Sequence, residues 1–241
     1  MMMKTLALLI SSALICPGML GSTFGFTEIS SAHSEAYNTD IFPDSDTGTF
    51  DYYVDGVKVG TSSYEFLLDH VLSNNFELAM EDLSFKGEVK IEFSGPGNWG
   101  KVYYENNGNV VSMTNSGSEI VVSTGSVEQS IPNESQGNLL EDMTPILIQF
   151  LLKEHAKRTF EIQHFKAYFV PALNINGDIE YLGPREMTIK KKSDKYHAYR
   201  VNVPPVYEME IVTDTDNNIC IIYYKAQNGA FVKPGFEELL R

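Results

Sequence analysis

Hydrophobic and polar residues alternate along most of the chain from residue 50 onward. Phe50, Tyr52 and Val54 alternate with polar or amphipathic neighbours, and a second alternating run follows Asp55-Gly56. A β-strand shows this period of two, because its successive side chains point to opposite faces. Asp-Gly between two such runs is typical of a two-residue hairpin turn, in which both residues take positive φ. The pattern predicts that the domain opens with a β-hairpin.

Turn signals recur about every ten residues after this hairpin and separate further short strands. The predicted turns lie at Lys86-Gly87, Asn107-Gly108, Ser116-Gly117 and Asn176-Gly177. Antiparallel strands joined by short turns form a meander. We therefore predict a mainly β domain over residues 49–241, with about ten strands.

One segment breaks the alternation and predicts a helix near residues 145–158. Thr144 is a candidate N-cap, and Pro145 follows at the first helical position, where its missing N–H costs nothing. The middle of the segment, "ILIQFLL", is apolar nearly all round, so the helix should be buried on most faces. The predicted fold is an antiparallel meander that forms a half-barrel or open barrel around one central buried helix.

The N-terminal residues carry the pattern of a secretory leader. Lys4 precedes an apolar run that is too short to cross a bilayer, which predicts a signal peptide over residues 1–25 with cleavage between 23 and 32. Residues 26–48 lack periodicity and predict a loose arm. Lipidation at Cys16 is an alternative, although Ile15 stands where a lipobox has a small residue. We expect an exported protein, periplasmic or secreted, with no membrane span in the mature chain.

Charge and cysteine content narrow the functions that the chain can have. A formal net charge of −14 disfavours binding to nucleic acid and to anionic membrane surfaces. Cys220 alternates with its neighbours as a strand residue and is expected to be a buried, unreactive thiol. The spacing of Gly56 and Gly60 inside a hairpin excludes a dinucleotide-binding loop, so no cofactor is predicted.

Aromatic residues suggest a ligand site between the helix and the sheet. The chain has 13 tyrosines and 14 phenylalanines, many of them in predicted strands. Ordinary core packing accounts for such a content, and an aromatic-lined cavity for an apolar ligand accounts for it as well. The candidate ligand-binding residues are Ile146, Phe150, Leu151, Tyr104, Phe169 and Tyr223.

The candidate metal-binding and catalytic residues each have a simpler interpretation. Asp214, Asp216 and Asn218 have the alternate spacing that directs oxygens at calcium, but the loop lacks the terminal Glu of a twelve-residue site. Asp and Asn also favour turns without any ion. No G-x-S-x-G elbow or H-E-x-x-H pair occurs, so no catalytic residue is assigned.

The opening hairpin "Y-x-V-x-G-x-K-x-G", the acidic "EDMTP" entry to the helix and the closing amphipathic strands resemble a known architecture. The chain resembles bacterial periplasmic proteins of the lipoprotein-carrier half-barrel type, with Gly56, Lys58 and Gly60 as the matching residues. The resemblance implies a non-enzymatic protein that binds an apolar or amphiphilic ligand such as a lipid, or assists envelope assembly with an envelope protein partner. The alternatives are an interaction or structural module without a small-molecule pocket, and a calcium-dependent or hydrolytic enzyme.

Overall fold

The computed structural model describes residues 45–67, 69–80, 83–95, 98–133, 138–170, 173–189, 192–205 and 207–240. The predicted leader, Cys16, and the predicted arm up to residue 44 lie outside the described residues. The first described strand begins at Asp46, within the last residues of the predicted arm.

The first half of the domain is a meander in which each strand pairs with the next. Its strands are β1 (Asp46–Val54), β2 (Val57–Phe66), β3 (Val71–Met80), β4 (Leu83–Gly95), β5 (Asn98–Asn106), β6 (Asn109–Asn115), β7 (Glu119–Thr124) and β8 (Val127–Pro132). Asp55 and Gly56 have φ of 51° and 75°, and Asn107 and Gly108 have φ of 49° and 81°. Both pairs are therefore two-residue turns with positive φ, which confirms the two predicted hairpins.

The second half follows a short strand and the helix. Its elements are β9 (Leu139–Leu140), α1 (Pro145–His155), β10 (Gln163–Phe169), β11 (Leu173–Ile189), β12 (Lys192–Val203), β13 (Tyr207–Thr213), β14 (Ile219–Tyr224) and β15 (Gly229–Val232). β9 runs parallel to β10, and β10 to β15 form a second antiparallel meander.

Pairing of β1 with β15 joins the two meanders into one sheet. Tyr52 lies opposite Phe231 and Tyr53 opposite Ala230 in this antiparallel pair. The described strands number fifteen, in the order β8 to β1 followed by β15 to β9, and the two ends of this order do not pair. The mainly β, open-barrel prediction is confirmed. β9, with two residues, is too short to show an alternating pattern and is one of the strands that raise the count above the predicted ten.

The sheet curls strongly around its interior. β5 and β10 are ten strand spacings apart in the sheet order, which would be about 48 Å in a flat sheet. The rings of Trp99 on β5 and Tyr168 on β10 nevertheless have centroids 6.0 Å apart. Opposite flanks of the sheet therefore meet across the interior.

Helix α1 fills that interior. All residues from Pro145 to Leu152 are buried, and the Gln149 side chain accepts a hydrogen bond from the Ile219 N–H at 2.9 Å. Thr144 is the N-cap and Pro145 begins the helix, as predicted, but the helix ends at His155 because Ala156 is extended. No helix in the described ranges is long and apolar enough to cross a membrane.

Two predicted turns are wrong, because the glycines at these positions lie inside long strands. Gly87 lies within β4 and Gly177 within β11. Each is directly opposite an aromatic residue of the neighbouring strand, Phe76 for Gly87 and Phe165 for Gly177. A Cβ at either glycine would lie within 2.5 Å of the opposing phenyl ring. These glycines make room for rings that lie flat across the curved sheet, a recurrent use of glycine in sheets.

A smaller apolar cluster lies apart from the main core, on the second meander. It contains buried Val212, Cys220 and Ile221, with Phe236 and Leu239 of the C-terminal segment packed against it. The buried position of Cys220 confirms the sequence prediction, and burial raises the pKa of its thiol to about 12.

We predict that Gly87→Ala destabilises the fold. The added Cβ would lie 2.1 Å from the Glu105 carbonyl oxygen as well as against Phe76, so backbone must move, at a cost of about 2 kcal/mol or more. Gly100→Ala on β5 is the matched control, because its nearest neighbour would be 3.6 Å away. Urea unfolding of both variants checks this prediction, and equal midpoints would contradict it.

Candidate functional site

A buried hydrogen-bond network fixes the start of helix α1 on strands β2 and β3. The Asn74 amide donates to the Met143 carbonyl oxygen and to Thr144 Oγ1, both at 3.1 Å. The Ser62 hydroxyl lies 2.8 Å from Asn74 Oδ1 and 2.7 Å from the same Met143 oxygen. Because these groups are fully or almost fully buried, each bond satisfies a polar atom that water does not reach.

Glu141 completes this network from the segment before the helix. Its Oε2 accepts the Met143 N–H at 2.9 Å and the Thr144 hydroxyl at 2.6 Å. The Thr144 hydroxyl therefore bonds backwards to Glu141 and does not cap a helical N–H. In this way Glu141 is held at the positive end of the helix, where a carboxylate is favoured.

Two adjacent carboxyl groups in this segment have raised pKa values. Burial, followed by the charge of Asp142, raises the pKa of Glu141 to about 8, although hydrogen bonds from Thr144 and Met143 oppose the rise. Burial alone raises the pKa of Asp142 to about 7. Asp142 keeps part of its surface exposed, whereas Glu141 is buried. The interior near the helix start can thus hold protons at neutral pH.

Four tyrosines from distant strands lie at the same end of the sheet as these carboxyls. Hairpin turns of an antiparallel sheet alternate between its two ends, and the register places the β1–β2, β5–β6, β12–β13 and β14–β15 turns at one end. Residues 141–144 lie at this end too, because β9 runs parallel to β10 toward it. We call the group at this end the tyrosine–carboxyl cluster; its members are Tyr52, Tyr104, Tyr207, Tyr224, Glu141 and Asp142.

The negative charges of the two carboxyls act on the four tyrosines. Burial raises the pKa of each tyrosine, and the negative charge of Asp142 raises it further in all four. The charge of Glu141 also raises the pKa values of Tyr104, Tyr207 and Tyr224. All four side chains therefore stay protonated at physiological pH and can donate hydrogen bonds.

Two hydroxyl groups of the cluster lack a partner. The buried hydroxyls of Tyr207 and Tyr224 have no hydrogen bond within the described ranges. Their rings pack at 5.4 Å with an interplanar angle of 90°. The Tyr104 hydroxyl, in contrast, accepts the Asn106 amide at 3.2 Å. Unpaired buried hydroxyls are uncommon in native proteins and point to a missing partner.

The structure brings together some of the predicted ligand residues and separates others. Tyr104 belongs to the cluster, and Phe169 packs against Tyr207 with ring centroids 5.9 Å apart. On the helix, Ile146 and Leu151 are buried in the main core. Phe150 packs against Phe66 and Phe93, at 5.6 and 6.1 Å.

Tyr223 lies away from the other predicted ligand residues. It packs with the second apolar cluster, and its hydroxyl donates to the Leu239 carbonyl oxygen. Neighbouring residues of a strand point to opposite faces, so Tyr224, not Tyr223, reaches the interior. The sequence analysis did not predict Glu141, Asp142, Ser62 or Asn74 as site residues. The adjacent acids of "EDMTP" lie between apolar residues just before the helix, and this pattern could have indicated buried carboxyl groups.

The predicted calcium residues share one turn between β13 and β14. Asp214 Oδ1 accepts the N–H groups of Asp216 and Asn218 at 2.9 and 2.8 Å, and Asp214 Oδ2 accepts the Asn218 amide at 2.9 Å. These bonds form a turn held by its own side chains. Within the described ranges, no group of three or more His, Cys, Asp or Glu residues could hold a metal ion. Calcium binding at this turn stays a prediction.

Comparison with known proteins gives one distant structural similarity. A solved structure of a DUF1089 family protein from Pseudomonas aeruginosa is similar over 86% of this chain and 98% of that chain, with 8% sequence identity and a TM-score of 0.45. No family model and no curated protein matches the chain. The resemblance to lipoprotein-carrier half-barrels stays a prediction.

We predict that Asn74→Ala lowers the free energy of unfolding by about 2 kcal/mol, because it leaves the buried Ser62 and Thr144 hydroxyls and the Met143 carbonyl underbonded. Asn75→Ala, an exposed neighbour on the same strand, should change it by less than about 0.5 kcal/mol. Urea unfolding measures both, and similar losses in the two variants would contradict a special role for the network.

We also predict that stability falls as pH rises from 5 to 8. The unfolded chain ionises both acids near their ordinary pKa values of 4.5 and 3.8, whereas the folded chain holds the protons to about 8 and 7. The folded state then binds more protons, so each acid lowers stability by about 1 kcal/mol per pH unit in this window.

Glu141→Gln should flatten this slope, because glutamine does not titrate. Glu161→Gln, at an exposed position, is the control and should leave the slope unchanged. Unfolding curves at half-unit pH intervals measure it. A wild-type stability that rises over this window, or a slope that Glu141→Gln does not alter, would contradict the raised pKa values.

Proposed function

We propose that this is an exported, non-enzymatic protein that binds an amphiphilic ligand. The polar end of the ligand would lie in the tyrosine–carboxyl cluster, and its apolar part would lie along the aromatic interior between α1 and the sheet. The carrying observation is that the buried hydroxyls of Tyr207 and Tyr224 have no hydrogen bond within the described ranges and are affected by the charges of Glu141, which is buried, and Asp142, which is partly exposed.

The energetic argument concerns what these groups cost when they are unpaired. Each buried hydroxyl without a partner costs about 1–3 kcal/mol, so two of them use a substantial part of the 5–15 kcal/mol that stabilises a typical domain. The Ser62, Asn74 and Thr144 side chains, a short distance along the same interior, are all paired. A bound molecule that supplies polar atoms at the cluster would remove the cost.

The surroundings of the cluster suit an apolar tail. The ring centroid of Phe231 lies 4.6 Å from that of Tyr52 and 6.1 Å from that of Tyr224. The Phe169 ring packs against Tyr207. Asp142 is partly exposed, so the cluster has contact with solvent. An amphiphile could therefore enter at this end of the sheet with its polar group near Asp142.

Acid–base catalysis is a second candidate function. It is favoured by the raised pKa values of the neighbouring Glu141 and Asp142 carboxyls, because strongly shifted pKa values are frequent at catalytic sites. The bonds that Glu141 accepts from Met143 and Thr144 argue against it, because they commit one carboxylate oxygen to holding the helix start. Binding accounts for the unpartnered hydroxyls directly, and catalysis does not.

Native mass spectrometry of the protein purified from its own host, followed by organic extraction, tests the proposal. We expect an adduct that appears in the extract as an amphiphile, and uptake of the neutral apolar fluorophore N-phenyl-1-naphthylamine by the delipidated protein. A mass without adduct together with no uptake of the fluorophore would overturn the proposal and favour an interaction module.

Tyr207→Phe locates the site by removing one hydroxyl while keeping the ring. The variant should weaken retention of the extracted ligand by about tenfold, as expected for the loss of one buried hydrogen bond. Tyr168→Phe is the matched control, since Tyr168 is buried and also has an unpartnered hydroxyl, but it packs against Trp99. Equal effects of the two variants would contradict the assignment to the cluster.

A further inference from the structure

We propose that strand β8 is a docking edge for a second copy of this chain, and that two protomers pair through their β8 strands in antiparallel orientation. The inference goes beyond the proposed function, because it concerns the rim of the sheet and not its interior. Three features of β8 support it: its unpaired edge, the direction of its backbone groups and the order of its side chains.

The two end strands of the sheet, β8 and β9, differ in how their edges are covered. Near β9, the Tyr168 N–H donates to the Asn138 carbonyl oxygen at 2.8 Å, and the Asn138 side-chain amide donates to the Lys166 carbonyl oxygen at 3.0 Å. At the other end, β8 pairs with β7, and no strand of the described ranges pairs with its outer side. An unpaired strand edge is a template for pairing with another chain.

The register of the β7–β8 pair shows which backbone groups point to the unpaired side. The Asn133 N–H, directly after β8, donates to the Ser118 carbonyl oxygen, directly before β7, at 3.0 Å. In an antiparallel pair every second residue directs both of its backbone groups at the partner strand. The residues at odd positions of β8 therefore face β7, and the N–H and C=O groups of Glu128 and Ser130 face outward.

The sequence of β8 favours one register for two copies of the strand. If Glu128 lies opposite the partner's Ser130, each pair exchanges two backbone hydrogen bonds, and the two-fold axis passes beside Gln129. A shift in one direction would place Glu128 opposite the partner's Glu128, with like charges side by side. A shift in the other direction would place Glu128 opposite the partner's Pro132, which has no N–H to donate.

The side chains on the interior face of β8 are complementary in the same register. Val127 is 63% exposed, although it shares a strand face with Ile131, which packs against the main core. Two copies paired about Gln129 would place each Val127 opposite the partner's Ile131. The pairing would therefore cover two exposed valine side chains with apolar surface. This self-complementarity selects a second copy of the chain over an unrelated strand.

Disulfide trapping tests the register. Residues opposite each other in a pair without mutual hydrogen bonds have Cα atoms about 4.5 Å apart, which suits a disulfide. We expect Gln129→Cys, in a Cys16→Ser background, to give a covalent dimer on mild oxidation, since Cys220 is buried. Glu128→Cys and Ser130→Cys are the matched controls. Their equivalent Cα atoms would be about 7–8 Å apart, so their yield should be about tenfold lower. Equal yields from all three variants would indicate random collision and overturn the inference.

Sedimentation equilibrium tests the pairing without a cross-link. The contact between two six-residue strands is small, so we expect a weak dimer, detectable at about 100 μM protein. Ser130→Pro removes an outward N–H from each protomer and should weaken the dimer about tenfold or more. Ser130→Ala keeps the N–H and controls for the hydroxyl, which donates to Glu119. An equal loss in both variants would contradict pairing through the backbone.

The salt dependence has a defined sign. Two chains that each carry a formal net charge of −14 repel one another, so the dimer should strengthen as salt is raised from about 50 to 500 mM. A dimer that weakens with salt would indicate ion pairing at another surface and contradict the β8 contact.

The outcomes separate this inference from the proposed function. The tyrosine–carboxyl cluster contains no residue of β8, so Ser130→Pro should leave uptake of the neutral fluorophore unchanged. A monomer up to about 500 μM, together with no covalent dimer of Gln129→Cys, would overturn the inference and leave the proposed ligand site untouched.

Discussion

The architecture depends on how one short helix is held inside a large curved sheet. Helix α1 has eleven residues. Its Gln149 side chain accepts a hydrogen bond from Ile219 of the second meander. Its start is fixed to the first meander by the chain of bonds from Ser62 through Asn74 and Thr144 to Glu141. Apolar packing alone has no direction, so these bonds define where the helix begins and which way it points. The helix in turn adds its buried residues to the core that both meanders share.

This way of fixing the helix also creates the candidate site. Glu141 can bond to Met143 and Thr144 only if its carboxyl is buried, and its sequence neighbour Asp142 is drawn to the same end of the interior. Two acids so close in a poorly solvated region raise the free energy of the ionised state. These acids lie at the end of the sheet where the four tyrosines of the cluster are also found. Glu141 thus has a structural role at the helix start, and in the proposed function it would also be part of the ligand site.

Local sequence signals predicted the elements whose geometry is local. Asp55-Gly56 and Asn107-Gly108 form turns because positive φ is a property of those residues, and Thr144-Pro145 starts the helix for a similar reason. Gly87 and Gly177 misled the turn prediction because their function depends on an aromatic residue in the next strand. The choice between Tyr223 and Tyr224 depends on the face that each strand residue presents, and a Tyr-Tyr pair contains no information on that face. The cluster itself comes from strands more than 150 residues apart, joined through the β1–β15 pair.

The two ends of the interior differ in a way that would give the proposed amphiphile a direction. Toward the opposite end from the cluster, Phe150 packs with Phe66 and Phe93. These phenyl rings carry no polar atoms that need a hydrogen-bond partner. At the cluster end, the hydroxyls of Tyr207 and Tyr224 have no hydrogen-bond partner within the described ranges. A tail that entered from the cluster end would exchange water for aromatic surface, while the polar group would stay beside Asp142. The reverse orientation would bury the polar group among phenyl rings without partners, at a cost of several kcal/mol. This difference between the two ends therefore supports, for the proposed ligand, an orientation with its head at the start of α1.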